Sequence, residues 1–184
     1  MQVLMRDLLD YGNPSLGGEL QSTSLAATVR RSMGDCQALS RVSCVELMPE
    51  IAGDATVTAN PLRLARAFEN LLENAIQHSP QHGVVGVQLT LSDASFVRLE
   101  VTDEGPGFPP EHMEKLFTPF FTLRPGGTGL GLTIAKKIVD DLGGTIRLSN
   151  NASGGARVTV FLPAIREATQ ALPSAFTECK HGRK

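Results

Sequence analysis

The sequence predicts an α/β protein, and three observations carry that prediction. Leu64 to Ile76 carries apolar residues at helical spacing. Val84 to Leu91 and Phe96 to Thr102 alternate apolar and polar residues, as half-buried strands do. A second helix-patterned stretch follows the glycines at 126, 127, 129 and 131. Helices and strands interleaved in this way pack as layers around one core.

Taken in order, Gln2 to Tyr11 is predicted as a helix that stops at the breakers Gly12, Asn13 and Pro14. Ser22 to Leu39 is expected to form a second helix, interrupted or weakened near Gly34. Arg41 to Leu47 and Ala55 to Thr58 are expected as strands. Asn60-Pro61 starts a helix, because Asn caps and Pro occupies the first turn, where its missing N–H costs nothing. That helix runs to about His78 and ends at Ser79-Pro80. The strands Val84 to Leu91 and Phe96 to Thr102 are joined by the polar turn Ser92-Asp93-Ala94-Ser95. Asp103 to Gly127 is irregular, and the helix after it is closed by Gly143-Gly144. Thr145 to Ser149 and Arg157 to Leu162 form a final hairpin across Asn150 to Gly155, and a polar tail follows Pro163.

The 184 residues suit one domain with spare ends, and an apolar fraction of 41% can build a core. A net charge of −2 gives no reason to expect a nucleic-acid partner. Cys36, Cys44 and Cys179 show neither metal spacing nor a disulfide framework, which favours a reducing compartment. No apolar run approaches the length that crosses a bilayer, and Met1 opens no signal peptide, so a soluble cytoplasmic domain is expected.

The long helix places Leu64, Ala65, Phe68, Leu71, Leu72, Ala75 and Ile76 on one face. Asn70, Asn74 and Gln77 lie opposite, flanked by Arg66 and Glu73. Asn is a mediocre helix residue, and a purely solvated stripe would favour Lys or Glu. Stacked carboxamides offer oxygens to a cation and donors to phosphate, although an amide-rich solvated face is the alternative. Asp103 follows directly on a strand, where its carboxylate can accept a hydrogen bond from an exocyclic amine such as adenine N6. Gly105 and Gly107 would keep side chains out of the space a flat base needs. The glycines at 126 to 131 have the logic of a phosphate loop at a helix N-terminus. Their spacing is neither that of a Walker A loop nor that of a Rossmann fingerprint. Leu130, Ile134, Ile138 and Leu142 supply the buried stripe of the helix they open.

The order of four boxes resembles the catalytic ATP-binding domain of two-component sensor histidine kinases. They are Asn70 to Ala75 (NLLENA), Asp103 to Gly107 (DEGPG), Phe117 to Phe121 (FTPFF) and Gly127 to Leu132 (GTGLGL), with Gly154-Gly155 in the place of a last glycine box. The resemblance covers about Arg41 to Pro163 and implies a two-layer α/β sandwich. Its mixed, mainly antiparallel sheet would be covered on one face by helices, with an ATP lid. It implies Asn74 as a Mg²⁺ ligand, Asn70 shaping the phosphate and metal site, and Asp103 selecting adenine. Gly105 and Gly107 would border the base, and Gly127, Thr128, Gly129, Leu130 and Gly131 would meet the phosphates. His78 stands where many members have a tyrosine lining the nucleotide. Gln77 stands where many have a phosphate-contacting lysine, a departure that removes the expected cation from that helix. The short lid, Phe121-Thr122-Leu123-Arg124, is similar to that of kinases of the nitrogen-regulation and oxygen-sensing type. Arg124 would supply the positive charge to the terminal phosphates. Phe120 and Phe121 would be lid and partner contacts, with Phe117 buried.

His78, His82, His112 and His181 are followed by Ser79, Gly83, Met113 and Gly182, so none has the acidic neighbour of a phosphoacceptor histidine. The resemblance therefore implies a histidine kinase catalytic domain whose acceptor lies on a separate dimerisation and phosphotransfer domain, with a response regulator downstream. Residues 1–14 would be the end of that hairpin and a linker, 15–163 the catalytic domain, and 164–184 a disordered tail. The fragment would be monomeric and the full-length kinase a homodimer. An ATPase of the gyrase, mismatch-repair or chaperone type would carry a glutamate base where Asn70 stands. A silent nucleotide-binding or partner-docking module is the third possibility.

Overall fold

A computed structural model describes residues 19–91 and 95–165. The expected first helix, most of the Ser92-to-Ser95 turn and the polar tail lie outside the described residues. The five strands of the main sheet are β2 (Glu46–Ile51), β4 (Val84–Leu91), β5 (Phe96–Thr102), β7 (Ala156–Pro163) and β6 (Thr145–Asn150), in that spatial order. Only the β2–β4 pair is parallel; the other three pairs are antiparallel. The sheet is therefore mixed and mainly antiparallel. One face buries Val85, Val87, Leu89, Val97, Leu99, Val101, Val158, Val160 and Leu162 against the helices. Of the residues alternating with them, Gln88, Arg98 and Arg157 are only partly buried, while Glu100 is buried beside the Arg98 and Arg157 guanidinium groups. This is the period of two that a sheet covered on one side requires.

Helix α1 (Leu25–Asp35), α2 (Gln37–Ser43), α3 (Pro61–His78) and α4 (Gly131–Asp141) form the second layer. α3 begins as the sequence predicts: the Asn60 side chain accepts from the amides of Leu62 and Arg63, each at 3.0 Å. α1 and α4 both pack against α3. Between α1 and α2 lies Cys36, buried at 3% exposure. That burial, with the carboxylates of Glu73, Glu69 and Asp35 nearby, pushes its thiol up to about 12.

Three expectations need correction. The predicted Ser22-to-Leu39 helix starts as a strand, β1 (Gln21–Ser24), paired antiparallel with β3 (Thr56–Ala59) in a separate two-stranded sheet. β1 has no apolar alternation of its own, so pairing with a segment over thirty residues later decides its conformation. The interruption expected near Gly34 falls two residues later, at Cys36, and Gly34 itself lies inside α1 with open space around it. The strand expected over Arg41 to Leu47 is helical as far as Ser43. Cys44 reverses the chain in a left-handed conformation (φ 54°), and the Ser40 hydroxyl donates to Val45 O at 2.6 Å. The strand proper, β2, runs to Ile51 along the sheet edge, where Pro49 is tolerated. Asp103 to Gly127, expected to be irregular, contains a 3-10 helix from Pro110 to Lys115.

Candidate functional site

The end of β5, the C-terminal end of α3 and the β6–β7 turn converge on Asp103. Its carboxylate is 6% exposed, and Oδ1 accepts from the amides of Gly105 at 2.9 Å and Ala156 at 3.0 Å. Its own amide donates to Ala156 O at 3.0 Å. Oδ2 accepts no hydrogen bond from the described residues, so one oxygen is fixed and the other is available. A Cβ on Gly105 would fall 2.4 Å from His78 O, and one on Gly155 (φ 88°) would fall 1.9 Å from Asp103 O. These glycines let three backbone segments touch where any side chain would separate them.

The sequence reading missed Asn150 and Asn151. Asn150 Oδ1 accepts from Phe108 N at 2.7 Å, and its Nδ2 donates to Phe108 O at 2.9 Å. Asn151 Nδ2 donates to Asp103 O at 3.5 Å and Ala156 O at 3.3 Å, while its Oδ1 accepts from Arg157 Nε at 2.9 Å. The β6–β7 turn thus clips both ends of the Asp103-to-Phe108 loop. An Asn pair before a glycine turn signals only a turn, because its partners in the Asp103-to-Phe108 loop lie more than forty residues away. Asn150→Ala leaves the N–H and C=O of the buried Phe108 without that partner, which costs about 1–3 kcal/mol. The expected result is a melting temperature several degrees lower. An unchanged melt would show the clip to be idle.

At the other end of the site, Asn70 and Arg66 are not on a solvated face. Both are buried where α1 and α4 pack against α3. Asn70 Nδ2 is sealed from solvent with no hydrogen-bond partner among the described residues. A Cβ on Gly131 would stand 3.7 Å from its Oδ1, so this carboxamide borders the glycine turn. An orphaned buried donor costs about 1–3 kcal/mol, a cost that a bound polar ligand can relieve. One turn later Asn74 is half-buried, and its carboxamide makes no hydrogen bond to the described residues. Gln77 and His78 are exposed, with His78 Nδ1 3.0 Å from Asn74 O.

The first turn of α4 has no side-chain cap, so its amides remain available to an anion. Leu130 contributes only backbone there, since its side chain is fully buried in the core. Thr128 Oγ1 accepts from Leu130 N at 3.4 Å. Gly129 (φ 67°) accepts at its carbonyl from Phe120 N at 3.0 Å. A Cβ on Gly129 would lie 2.5 Å from the Phe120 backbone, so the lid base is pinned to the glycine turn.

Phe117 is half-buried rather than buried, with Lys136 Nζ 5.5 Å from its ring centroid. Phe121 packs edge-on against His112 at 5.5 Å, while Phe120 is 58% exposed. The Thr122 hydroxyl accepts from Arg124 N at 3.1 Å and lies 3.2 Å from Arg124 O. The Arg124 guanidinium donates from Nη1 to Gln77 Oε1, joining the lid to α3. Among the described residues no three His, Cys, Asp or Glu side chains cluster to hold a metal alone. The free Asn74 carboxamide fits a cation that takes its remaining oxygens from phosphates.

Residues 59–166 match the family model described as histidine kinase-, DNA gyrase B-, and HSP90-like ATPase. The sensor histidine kinase ZraS of Escherichia coli O157:H7 is 37% identical over 151 residues, covering 78% of this chain and 31% of ZraS. The signal transduction histidine-protein kinase/phosphatase MprB of Mycolicibacterium vanbaalenii is 35% identical over 167 residues, covering 84% and 32%. The chain thus spans about a third of the length of these relatives. The solved structure of a mycobacterial sensor histidine kinase MprB superposes with a TM-score of 0.71 at 32% identity, covering 79% of this chain and 97% of that one. The catalytic domain of histidine kinase ThkA gives 0.70 at 30% identity, covering 78% and 96%.

Proposed function

Since the chain belongs to the histidine kinase-, DNA gyrase B- and HSP90-like ATPase family, as an ATPase domain of the sensor histidine kinase type, we propose that it binds Mg-ATP and donates the γ-phosphoryl group to a histidine on a separate dimerisation and phosphotransfer domain. The observation that carries this reading is Asp103, whose Oδ1 is held by two backbone amides while Oδ2 stays open beside glycine surfaces. That oxygen accepts from the adenine amino group, while Gly105, close against His78 O, and Gly107 (φ 76°), close against the Asn150 carboxamide, shape the loop that borders the ring.

At the phosphate end, Asn70, Asn74, Thr128 and the backbone amides of Gly129, Leu130 and Gly131 receive the phosphate oxygens, the long Leu130-to-Thr128 bond giving way, with Gly127 giving the lid its turn. Mg²⁺ bound between Asn74 and the phosphates would neutralise their charge. Arg124 brings a further cation from the lid. Thr122 fixes the Arg124 backbone, and His78 lines the nucleotide. Phosphoryl transfer is dominated by positioning and charge stabilisation, which these residues supply without a covalent step of their own. Asn70 has no carboxylate to activate water, which favours transfer to a histidine over hydrolysis. Residues 1–14 would belong to the preceding hairpin, 15–163 to the catalytic domain and 164–184 to a tail. The parent kinase would be a homodimer acting on a response regulator from the cytoplasm. Among the described residues no helix is long and apolar enough to cross a membrane.

Incubation with γ-labelled ATP tests the proposal, with and without the hairpin domain of the parent kinase. Acid-labile label should appear on the hairpin alone, and weakly, because the tether is absent. Acid-labile labelling of this chain by itself would mean that one of its own histidines accepts phosphate. Fast phosphate release without transfer would favour the ATPase reading. Asp103→Ala should cost about 1–2 kcal/mol of ATP affinity, the scale of one charge-assisted hydrogen bond. Equal competition by ATP and GTP for the unmutated protein would remove Asp103 as the base selector.

A further inference from the structure

Gln77 stands at the C-terminal end of α3, three residues beyond Asn74 and therefore on the same helical face. It is exposed and carries no charge. Among the described residues its side chain has one polar partner, the Arg124 guanidinium, forty-seven residues away on the lid, which donates from Nη1 to Oε1. The backbone of Arg124 is also held within the lid: the Thr122 hydroxyl accepts from its amide, and Gly127 N donates to its carbonyl at 3.1 Å. A Cβ on Gly127 would lie 2.6 Å from Thr122 Oγ1, so the turn closes tightly around that hydroxyl. Arg124 is thus fixed at its backbone by the lid and at its tip by α3.

We infer that Gln77 is a positioning residue that holds the Arg124 guanidinium at the phosphate end of the nucleotide site. This rests on the nucleotide reading above. α3 rises about 1.5 Å per residue, so a guanidinium on Gln77 lies within one turn of Asn74. One of the five N–H donors of the guanidinium is used by Gln77, and the planar fork keeps the others for phosphate oxygens. An unheld arginine would lose its rotamer freedom on meeting the phosphates; here that ordering precedes binding. A neutral amide suits this role because it accepts from the cation without repelling an incoming anion. α3 lacks a cation of its own at this position, and holding the lid's arginine there replaces one. The effect is confined to ligands with β- and γ-phosphates.

The test is a double-mutant cycle on the described chain, with Gln77→Ala, Arg124→Ala and the double variant. Titrations use a Mg²⁺-loaded non-hydrolysable ATP analogue, with AMP as control. Gln77→Ala should weaken analogue binding about three- to tenfold, Arg124→Ala at least as much, and the pair no more than Arg124→Ala alone. AMP binding should be equal in all four proteins. Additive losses, or a silent Gln77→Ala, would overturn the positioning role. Hydrogen exchange without nucleotide reads the contact directly: the Arg124 and Gly127 amides should exchange faster in Gln77→Ala and regain protection in Gln77→Glu. Exchange indifferent to Gln77 overturns the contact itself. Failure of the unmutated protein to bind the analogue overturns the nucleotide reading instead.

Discussion

Asn74→Ala is expected to lower Mg-ATP affinity about 10- to 100-fold, the scale of losing one interaction with a charged partner. Asn74 is half-buried on α3, one turn beyond the buried Asn70, and its carboxamide makes no bond within the described residues. Alanine therefore removes a ligand without breaking an internal contact, and alanine is a better helix former than asparagine. The fold should melt no earlier than the unmutated protein. Calorimetric titration with and without Mg²⁺ checks the expectation, because the deficit should shrink once the metal is chelated. An affinity unchanged in the presence of Mg²⁺ would remove Asn74 from the metal site.

The largest structural effect is expected at Gly155. A Cβ there falls 1.9 Å from Asp103 O and 2.8 Å from Asp103 C, and φ is 88°. Neither neighbour is the far end of a flexible side chain, so the β6–β7 turn must move away from the end of β5. That movement also disturbs the Ala156 amide, which donates to Asp103 Oδ1 at 3.0 Å. Backbone strain of about 1–3 kcal/mol for a non-glycine residue in this region adds to the clash. Gly155→Ala should lower stability by roughly 3 kcal/mol or more, a fall in melting temperature of about 6–12 °C for a domain of this size. Gly154→Ala is the control. Its φ is 94°, but a Cβ there meets nothing within 4 Å, so it carries the backbone strain without the collision. Thermal melts of the two variants separate the effects. Equal melting temperatures would mean that the contact with Asp103 contributes nothing.

The long helix was legible from sequence because its signals are local. Asn60 and Pro61 start it, Ser79-Pro80 ends it, and Leu64, Phe68, Leu71, Leu72 and Ile76 recur on one face. β4, β5 and the last hairpin were legible for the same reason, since alternation is written into each strand. The order of the four boxes determined the family, and the proposed chemistry of Asp103 and the glycine turn rests on residue type and position.

Other features depend on segments far apart in the chain. β1 exists because Gln21 to Ser24 pairs with Thr56 to Ala59, not because of any pattern within QSTS. Asn70 occupies the polar side of a helical wheel, yet it is buried, with the start of α4 packed against it at Gly131. A wheel distinguishes directions around one helix and carries no information about what stands in each direction. The Asn150 clip on Phe108, the approach of Gly155 to Asp103 and the reach of Arg124 to Gln77 each join residues more than forty positions apart. Local sequence thus determined the long helix, the strands with their own alternation and the four boxes. Only tertiary packing decided which of those residues are sealed, which are braced and which meet, because burial and hydrogen bonding depend on neighbours brought together by the fold.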